Sequence, residues 1–428
     1  MKNRSLSSFS AYAEPLFLIV ANVLSLALGN AISIVLARNL SPEQFGNYVG
    51  TLATVALLAS LAEAGFGKYG LKVVPVFWLG KQMRLLRGYL RFSILGFIVI
   101  SLTLGLGAAW VETAILGRTP ERVMLYALIF LPGIAAFGVM IDLLLGFGKA
   151  IAATVISRIV VPLCTLVGVC VAMQYFVLTP YVALLVFGCG SLMGALLATI
   201  AVARIVRRPI QGIHPQMRIR EWASNGVTFL AFGFLVSWVF KAPLFLAHHL
   251  PHDPGELALL APALEIGCWV LLLSKSTDKY FQPTMAVLIE SKDWAQGMVF
   301  RRNRLRVIGM AVIVFLAIVL LAGRRVLSLY GDGFSAAFDS LVVIAVGSSV
   351  WTLFSLAPSY LLFVGERSLV LKNMAAHAIV MVAATAFLFT EFGAIGAAIA
   401  YAVVVASMAL VNLWLANMVL ARRQSHGV

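Results

Sequence analysis

The residues able to do chemistry in this chain are few, and most sit where charge is expensive. Glu63, Asp142, Arg158, Lys241 and Glu265 fall inside apolar runs of ~20 residues, the length that carries a helix across a bilayer. An ionisable group at mid-bilayer costs ~2.5–3.5 kcal/mol on insertion scales, so each calls for a partner or a water-filled cavity. Glu265, in "APALEIGCWVL", follows Pro262, which frees a backbone carbonyl one turn back. A carboxylate there takes up a proton or sodium ion, or binds a sugar hydroxyl. The rival reading is a neutral Glu hydrogen-bonded within the bundle. Arg158, one turn before Pro162, stays charged when buried and grips a phosphate with its fork, unless it snorkels to the inner surface. Lys241, in "WVFKAPLFL" just before Pro243, stands between the same two readings, with the outer surface nearer. Asp142 and Glu63 lie close to the cytoplasmic ends of their runs, where plain solvation competes with coupling. Glu14, before Pro15, reads as interfacial. Cations among these groups suit an anionic or phosphorylated cargo, and carboxylates suit cation coupling.

The elements that must position them follow from composition. Of 428 residues, 61% are hydrophobic and 11% charged, and mean hydropathy is +0.98. A soluble chain of this length has too thin a polar coat to hide that much apolar surface. Backbone inside a bilayer must satisfy its own hydrogen bonds, leaving helix bundles and closed barrels. Barrel strands alternate over about ten residues, whereas the runs here are continuous. The expected fold class is an all-α polytopic membrane protein. Cys164, Cys170, Cys189 and Cys268 lie within apolar runs and read as small hydrophobes. "MKNRSLSS" and the following run read as a retained first helix, the run being too long for a signal peptide. The formal charge of +15 does not imply nucleic acid, because the basic residues punctuate the helices and form no soluble basic domain.

Twelve spans are expected, at 15–37, 48–66, 90–111, 123–145, 151–174, 180–203, 223–246, 257–274, 307–323, 340–363, 370–389 and 393–420. With both termini cytoplasmic, 25 of the 32 Lys and Arg fall in cytoplasmic segments and 5 in outer loops, and Arg158 and Lys241 stay within spans. That imbalance is the positive-inside signature. The segment Lys275–Arg306, with "FRRNRLRV", reads either as an amphipathic surface helix or as a plain orientation signal. "LARNLSPEQFG" (36–46) is echoed by "LAHHLPHDPGE" (246–256), with Leu36, Ala37 and Leu40 falling on Leu246, Ala247 and Leu250. The echo and the basic loop at 204–222 predict two six-helix halves, 1–210 and 211–428, in the same orientation around a central cavity. In the first elbow, Pro42 stops helix one, Gly46 permits a tight re-entry and Tyr48 serves as an interfacial anchor.

Other chemistry is not visible. No G-x-x-x-x-G-K-[ST] occurs, and no Ser/His/Asp or paired-carboxylate site stands out. "GCGSLMG" (188–194) lies within an apolar span and reads as a helix-packing face. His248, His249, His252 and Asp253 cluster, but Pro251 and Pro254 prevent the helical spacing that aims two ligands at one metal. "YGDGFSAAFD" (330–339) lacks the spacing of a calcium loop. No cofactor is expected, and the chain reads as a non-enzyme.

Four stretches in order resemble one family. They are the "LARNLSPEQFGNYVGTLATVALLASLAEAGFG" elbow and helix (36–67), the outer turn "VLSLYGDGFSAAFDSLVVIAVG" (326–347), the inner turn "LLFVGERSLVLKNM" (361–374) and "EFGAIGAAIAYAVV" (391–404). Together they are similar to the polysaccharide-unit flippases, the O-antigen and exopolysaccharide translocases of the multidrug/oligosaccharidyl-lipid/polysaccharide exporter superfamily. The resemblance implies a multi-pass protein of the bacterial inner membrane. Such a protein moves undecaprenyl-pyrophosphate-linked oligosaccharides to the outer leaflet by alternating access, with ion coupling and no ATPase. Membrane lipids, a polysaccharide polymerase and glycosyltransferases would be its partners. On that reading Arg158, Lys241 and Arg38 attract the pyrophosphate, and Glu265, Asp142 and Glu63 couple ions or bind sugar. Many relatives carry an Asp-Arg pair near the outer end of helix seven; here that region reads "VFKAPLFLAHH", with Lys241 its strong charge. The alternatives are a drug/cation antiporter of the same superfamily and a non-transporting scaffold of a glycan-assembly complex.

Overall fold

A computed structural model describes residues 8–110, 128–250, 254–274, 277–278, 281, 285, 288 and 294–425. Arg118, Arg122, His252 and Asp253 lie outside the described residues. All regular structure among the described residues is helical. Among the described residues ten helices are long and apolar enough to cross a membrane. One of them, Arg367–Ser425, is two helices merged across a kink at Gly393, and the shorter apolar helix Leu131–Gly146 adds another, which brings the number to twelve. The chain is a multi-pass, all-α membrane protein.

The helices are α1 (Ser8–Asn39), α2 (Pro42–Ala62), α3 (Phe66–Leu79), α4 (Met83–Trp110), α5 (Leu131–Gly146), α6 (Ala150–Tyr175), α7 (Pro180–Ile210) and α8 (Ile219–His249). They continue as α9 (Pro254–Gly267), α10 (Trp294–Ser328), α11 (Phe338–Phe354), α12 (Leu356–Phe363), α13 (367–392) and α14 (394–425). Packing divides them into two compact units. Unit 1 holds residues 1–40 and 51–237, and unit 2 holds 41–50 and 238–428.

The elbow differs from its expected form. Only Leu40 and Ser41 interrupt the helices, and Gly46 is helical. The Gln44 amide donates to Ser41 Oγ at 3.2 Å, and the Ser41 amide donates to Gln44 Oε1 at 3.2 Å. This is a reciprocal capping box, with Pro42 at the first helical position where its missing N–H is harmless. Tyr48 is buried in unit 2 at 4% exposure, so it is a core residue and not an interfacial anchor.

In unit 1, α3 occupies a stretch expected to be a cytoplasmic loop. Phe66, Tyr69, Gly70, Val73, Val74 and Phe77 recur at helical spacing and bury one face against α4 and α5. Trp222 and Tyr89 are fully buried in the same core, their rings edge-on at 5.4 Å. The glycines of "GCGSLMG" do form a packing face of α7. Cβ atoms at Gly188, Gly190 and Gly194 would strike Phe130, Thr165 and Val161, respectively.

In unit 2, α11 packs on α9, α10 and the Arg367–Ser425 helix pair. Small residues allow this: a Cβ on Gly347 would lie 2.5 Å from the Ala402 Cα. "FRRNRLRV" belongs to the first turns of α10, not to a separate surface helix. Between α13 and α14, Gly393 takes φ 61° and ψ −140°, a conformation closed to residues with a Cβ. A Cβ there would also lie 2.3 Å from Glu256 Oε2, which accepts the Ala394 amide at 2.6 Å and caps α14. Gly393→Ala should therefore cost at least about 1–3 kcal/mol for the backbone alone. Thermal unfolding of the detergent-purified variant by tryptophan fluorescence measures it. A wild-type melting temperature would show that the turn relaxes freely.

Candidate functional site

Unit 1 brings two of the expected acids onto one face. Glu63 sits in the turn between α2 and α3, where Ala64 (φ 47°) and Gly65 (φ 69°) both take left-handed backbone. Gly65 has no alternative, since a Cβ would strike the Gly226 carbonyl at 2.4 Å. The turn lays the Glu63 carboxylate against Gly138 of α5, where any Cβ would collide with it. Asp142 is one turn further along α5, about 6 Å by helical rise. It is buried, not solvated at a helix end: its side chain is 8% exposed and receives Lys68 Nζ at 2.9 Å. Gly67, in the first turn of α3, keeps a gap for Asp142 Oδ2. A carboxylate beside the opening amides of a helix is favoured by the helix dipole. Lys68, expected only as an orientation charge, completes this group while remaining half exposed.

Arg158 lies apart from these acids in what the structure shows. It occupies a π-helical stretch, Val155–Val160, inside α6, and α1 and α7 pack against that stretch. A π-turn adds a residue to the helical repeat and re-aims the side chains, and such turns recur at functional sites. Pro162 follows directly, and its missing amide removes a donor from the hydrogen-bond ladder. The Arg158 side chain is exposed and makes no ion pair among the described residues. Arg38 is exposed in the last turn of α1, where a cation complements the helix dipole.

In unit 2, Glu265 is half-buried on α9 and accepts a long hydrogen bond, 3.5 Å, from the Tyr330 hydroxyl. Burial pushes the Tyr330 hydroxyl above its ordinary range, and the Glu265 charge pushes it further the same way. The phenol therefore stays a neutral donor to the carboxylate. Phe334 packs between Tyr330 and Phe45, with ring centroids 6.0 Å from each, so the turn before α11 braces the acid's partner. Lys241 is exposed on α8, two residues before Pro243.

Two polar groups in unit 2 were not expected. Cys268 does more than fill space: Sγ lies 3.2 Å from the Tyr401 hydroxyl, which is 3.1 Å from Ser348 Oγ. The chain breaks its helix at Cys268–Val270 beside this network, and Thr352 donates to the Val270 carbonyl at 3.4 Å. At the other group, Arg304 is 2% exposed and donates to Asp278 Oδ1 at 2.6 Å and to Ser355 Oγ at 2.8 Å. The i, i+4 polar pair Ser348/Thr352 on an otherwise apolar helix was the available signal for the first. Nothing local marks Arg304 among its basic neighbours. Among the described residues no group of three or more His, Cys, Asp or Glu could hold a metal ion.

No family model matches the chain, and no curated protein matches it. Solved structures do. An inward-facing multidrug resistance MATE family transporter of the MOP superfamily aligns over 95% of this chain and 97% of its own, with TM-score 0.75 and 14% identity. The lipid II flippase MurJ, in an inward closed conformation, aligns over 94% and 87%, with TM-score 0.68 and 13% identity. A MOP superfamily transporter from Pyrococcus furiosus, whose reversed pocket polarity suggests a different function, aligns over 95% of each chain with TM-score 0.66 and 13% identity. At these identities the likeness is one of fold: the chain has the all-helical fold found in MATE transporters and in the lipid II flippase MurJ.

Proposed function

We propose that the chain is a membrane transporter that flips lipid-linked oligosaccharides. Its cargo would be undecaprenyl-pyrophosphate-linked units moving from the cytoplasmic to the outer leaflet of the bacterial inner membrane by alternating access. The observation that carries this reading is Arg158: an exposed guanidinium inside a 26-residue apolar helix, on a π-turn, with no ion pair among the described residues. A cation held there answers a negative charge, and its fork matches a phosphate. Lys241 and Arg38 add positive charge, and both termini are cytoplasmic on this reading. Glu265 with Tyr330, and Glu63 with the Lys68–Asp142 pair, supply ion coupling or sugar contacts.

A multidrug or cation antiporter is the second reading. It is favoured by the carboxylates Asp142 and Glu265, which lie within apolar helices. Deleting the gene separates the two. The flippase predicts loss of surface glycan, with lipid-linked units accumulating on the inner leaflet. Unchanged glycan with raised drug sensitivity would sink it.

A further inference from the structure

Unit 2 contains a cleft that the transport reading does not use. Its walls are apolar, including Met298 and Leu305 of α10, Ala357 of α12, and Leu413 and Leu420 of α14. Arg301, Arg304 and Tyr360 interrupt them. Arg304 is committed to Asp278, Ser355 and the Leu353 carbonyl. Arg301 is half-buried, donates to the neutral Asn417 Oδ1 at 2.8 Å, and makes no ion pair among the described residues. The Tyr360 hydroxyl is buried and makes no hydrogen bond among the described residues. Arg423 is committed to the Val364 carbonyl at 2.7 Å. A buried hydroxyl without an acceptor is unfavourable, and an anionic oxygen beside Arg301 would satisfy both groups.

We propose that this cleft holds one anionic glycerophospholipid of the surrounding bilayer, its phosphate on Arg301 and the Tyr360 hydroxyl and an acyl chain along Met298, Leu305 and Leu420. Charge complementarity selects an anionic head over a zwitterionic one. The apolar walls suit an acyl chain. The site goes beyond the transport reading, since it would regulate or steady unit 2 whatever the cargo is.

Native mass spectrometry tests this on the full chain in detergent, with dioleoylphosphatidylglycerol or dioleoylphosphatidylcholine added at equal concentration. The anionic lipid should be retained several-fold better: both lipids offer the same phosphodiester oxygens, and the phosphatidylcholine head alone adds an ammonium that Arg301 repels. Arg301→Gln and Gly297→Leu should each abolish the preference. Gly297 lines the cleft and a Cβ there meets nothing within 4 Å, so the larger side chain fills the cleft without disturbing the fold. Equal retention of the two lipids overturns the proposal, as does a preference that survives both substitutions. Undecaprenyl phosphate displacing the phosphatidylglycerol at equal concentration would assign the cleft to cargo, and overturns it too. No arm requires transport, so failure here leaves the flippase reading standing, and failure of that reading leaves the lipid site standing.

Discussion

Arg158→Ala should lose glycan export about tenfold or more while leaving the protein in the membrane at normal level. The side chain is exposed and contributes no ion pair among the described residues, so the fold has little to lose. Insertion should even improve, because a charge within a span costs ~2.5–3.5 kcal/mol. Export should fall because a charge-assisted hydrogen bond is worth about 1.5–3 kcal/mol, and about 1.4 kcal/mol is a factor of ten. Arg158→Lys separates charge from geometry. It keeps the positive charge and loses the planar fork, so intermediate export is expected. The rival account, an arginine that merely snorkels to the headgroups, predicts normal export in both variants. Lipid-linked units on each leaflet, normalised to membrane protein level, give the measurement; full export by Arg158→Ala would remove the phosphate role.

The spans were legible because the bilayer imposes length and composition on every crossing helix, and little else does. Where other forces act, the sequence reading failed in specific ways. Helix α3 carries Lys68 and Lys72 among its apolar positions 66, 69, 70, 73, 74 and 77, so its composition is that of a basic loop. Those positions follow the helical repeat, but on a helix lying against other helices they need no long apolar run. At the elbow, Pro42 and Gly46 are the conspicuous turn residues. The interaction that sets the start of α2 is the Ser41–Gln44 capping box, present in the sequence as S-P-E-Q. The π-turn at Arg158 is marked in the sequence by Pro162 alone, and a proline inside a helix does not by itself predict a π-turn.

The site was half legible for a related reason. Intramembrane charges announce themselves by cost, so Asp142, Glu63 and Glu265 could be picked out one by one. Their partners could not. Lys68 pairs with Asp142 across 74 residues, and Tyr330 reaches Glu265 across 65. Glycines also carried information that spacing alone does not reveal: Gly67 and Gly138 are absent side chains that make room for Asp142 and Glu63. A Cβ at either position would push a carboxylate out of place, so the small residues belong to the acid group as much as the acids do.

Asp278→Ala should be the most destabilising single change in unit 2, and a second substitution should rescue it. Arg304 is 2% exposed and Asp278 14%, with 2.6 Å between Nη2 and Oδ1. Ser355 Oγ accepts from the same guanidinium and donates to Asp278 Oδ2 at 2.8 Å, so the carboxylate also holds the residue that separates α11 from α12. Removing the carboxylate leaves a buried cation whose remaining partners among the described residues are the Leu353 carbonyl, Ser355 and the Phe281 ring, at 5.8 Å. Breaking a buried pair from one side costs about 3–5 kcal/mol, because the remaining charge keeps its desolvation penalty without its compensation. Arg304→Met alone should cost less, since Asp278 is the more exposed partner and keeps Ser355. The double variant Asp278→Ala/Arg304→Met should recover most of the loss, because replacing both charges removes both penalties. Thermal unfolding of the four proteins in one detergent completes the cycle. If Asp278→Ala alone lies within about 1 kcal/mol of wild type, the pair is behaving as a solvated surface bridge. In that case it is not a buried lock between α10 and the α11–α12 break.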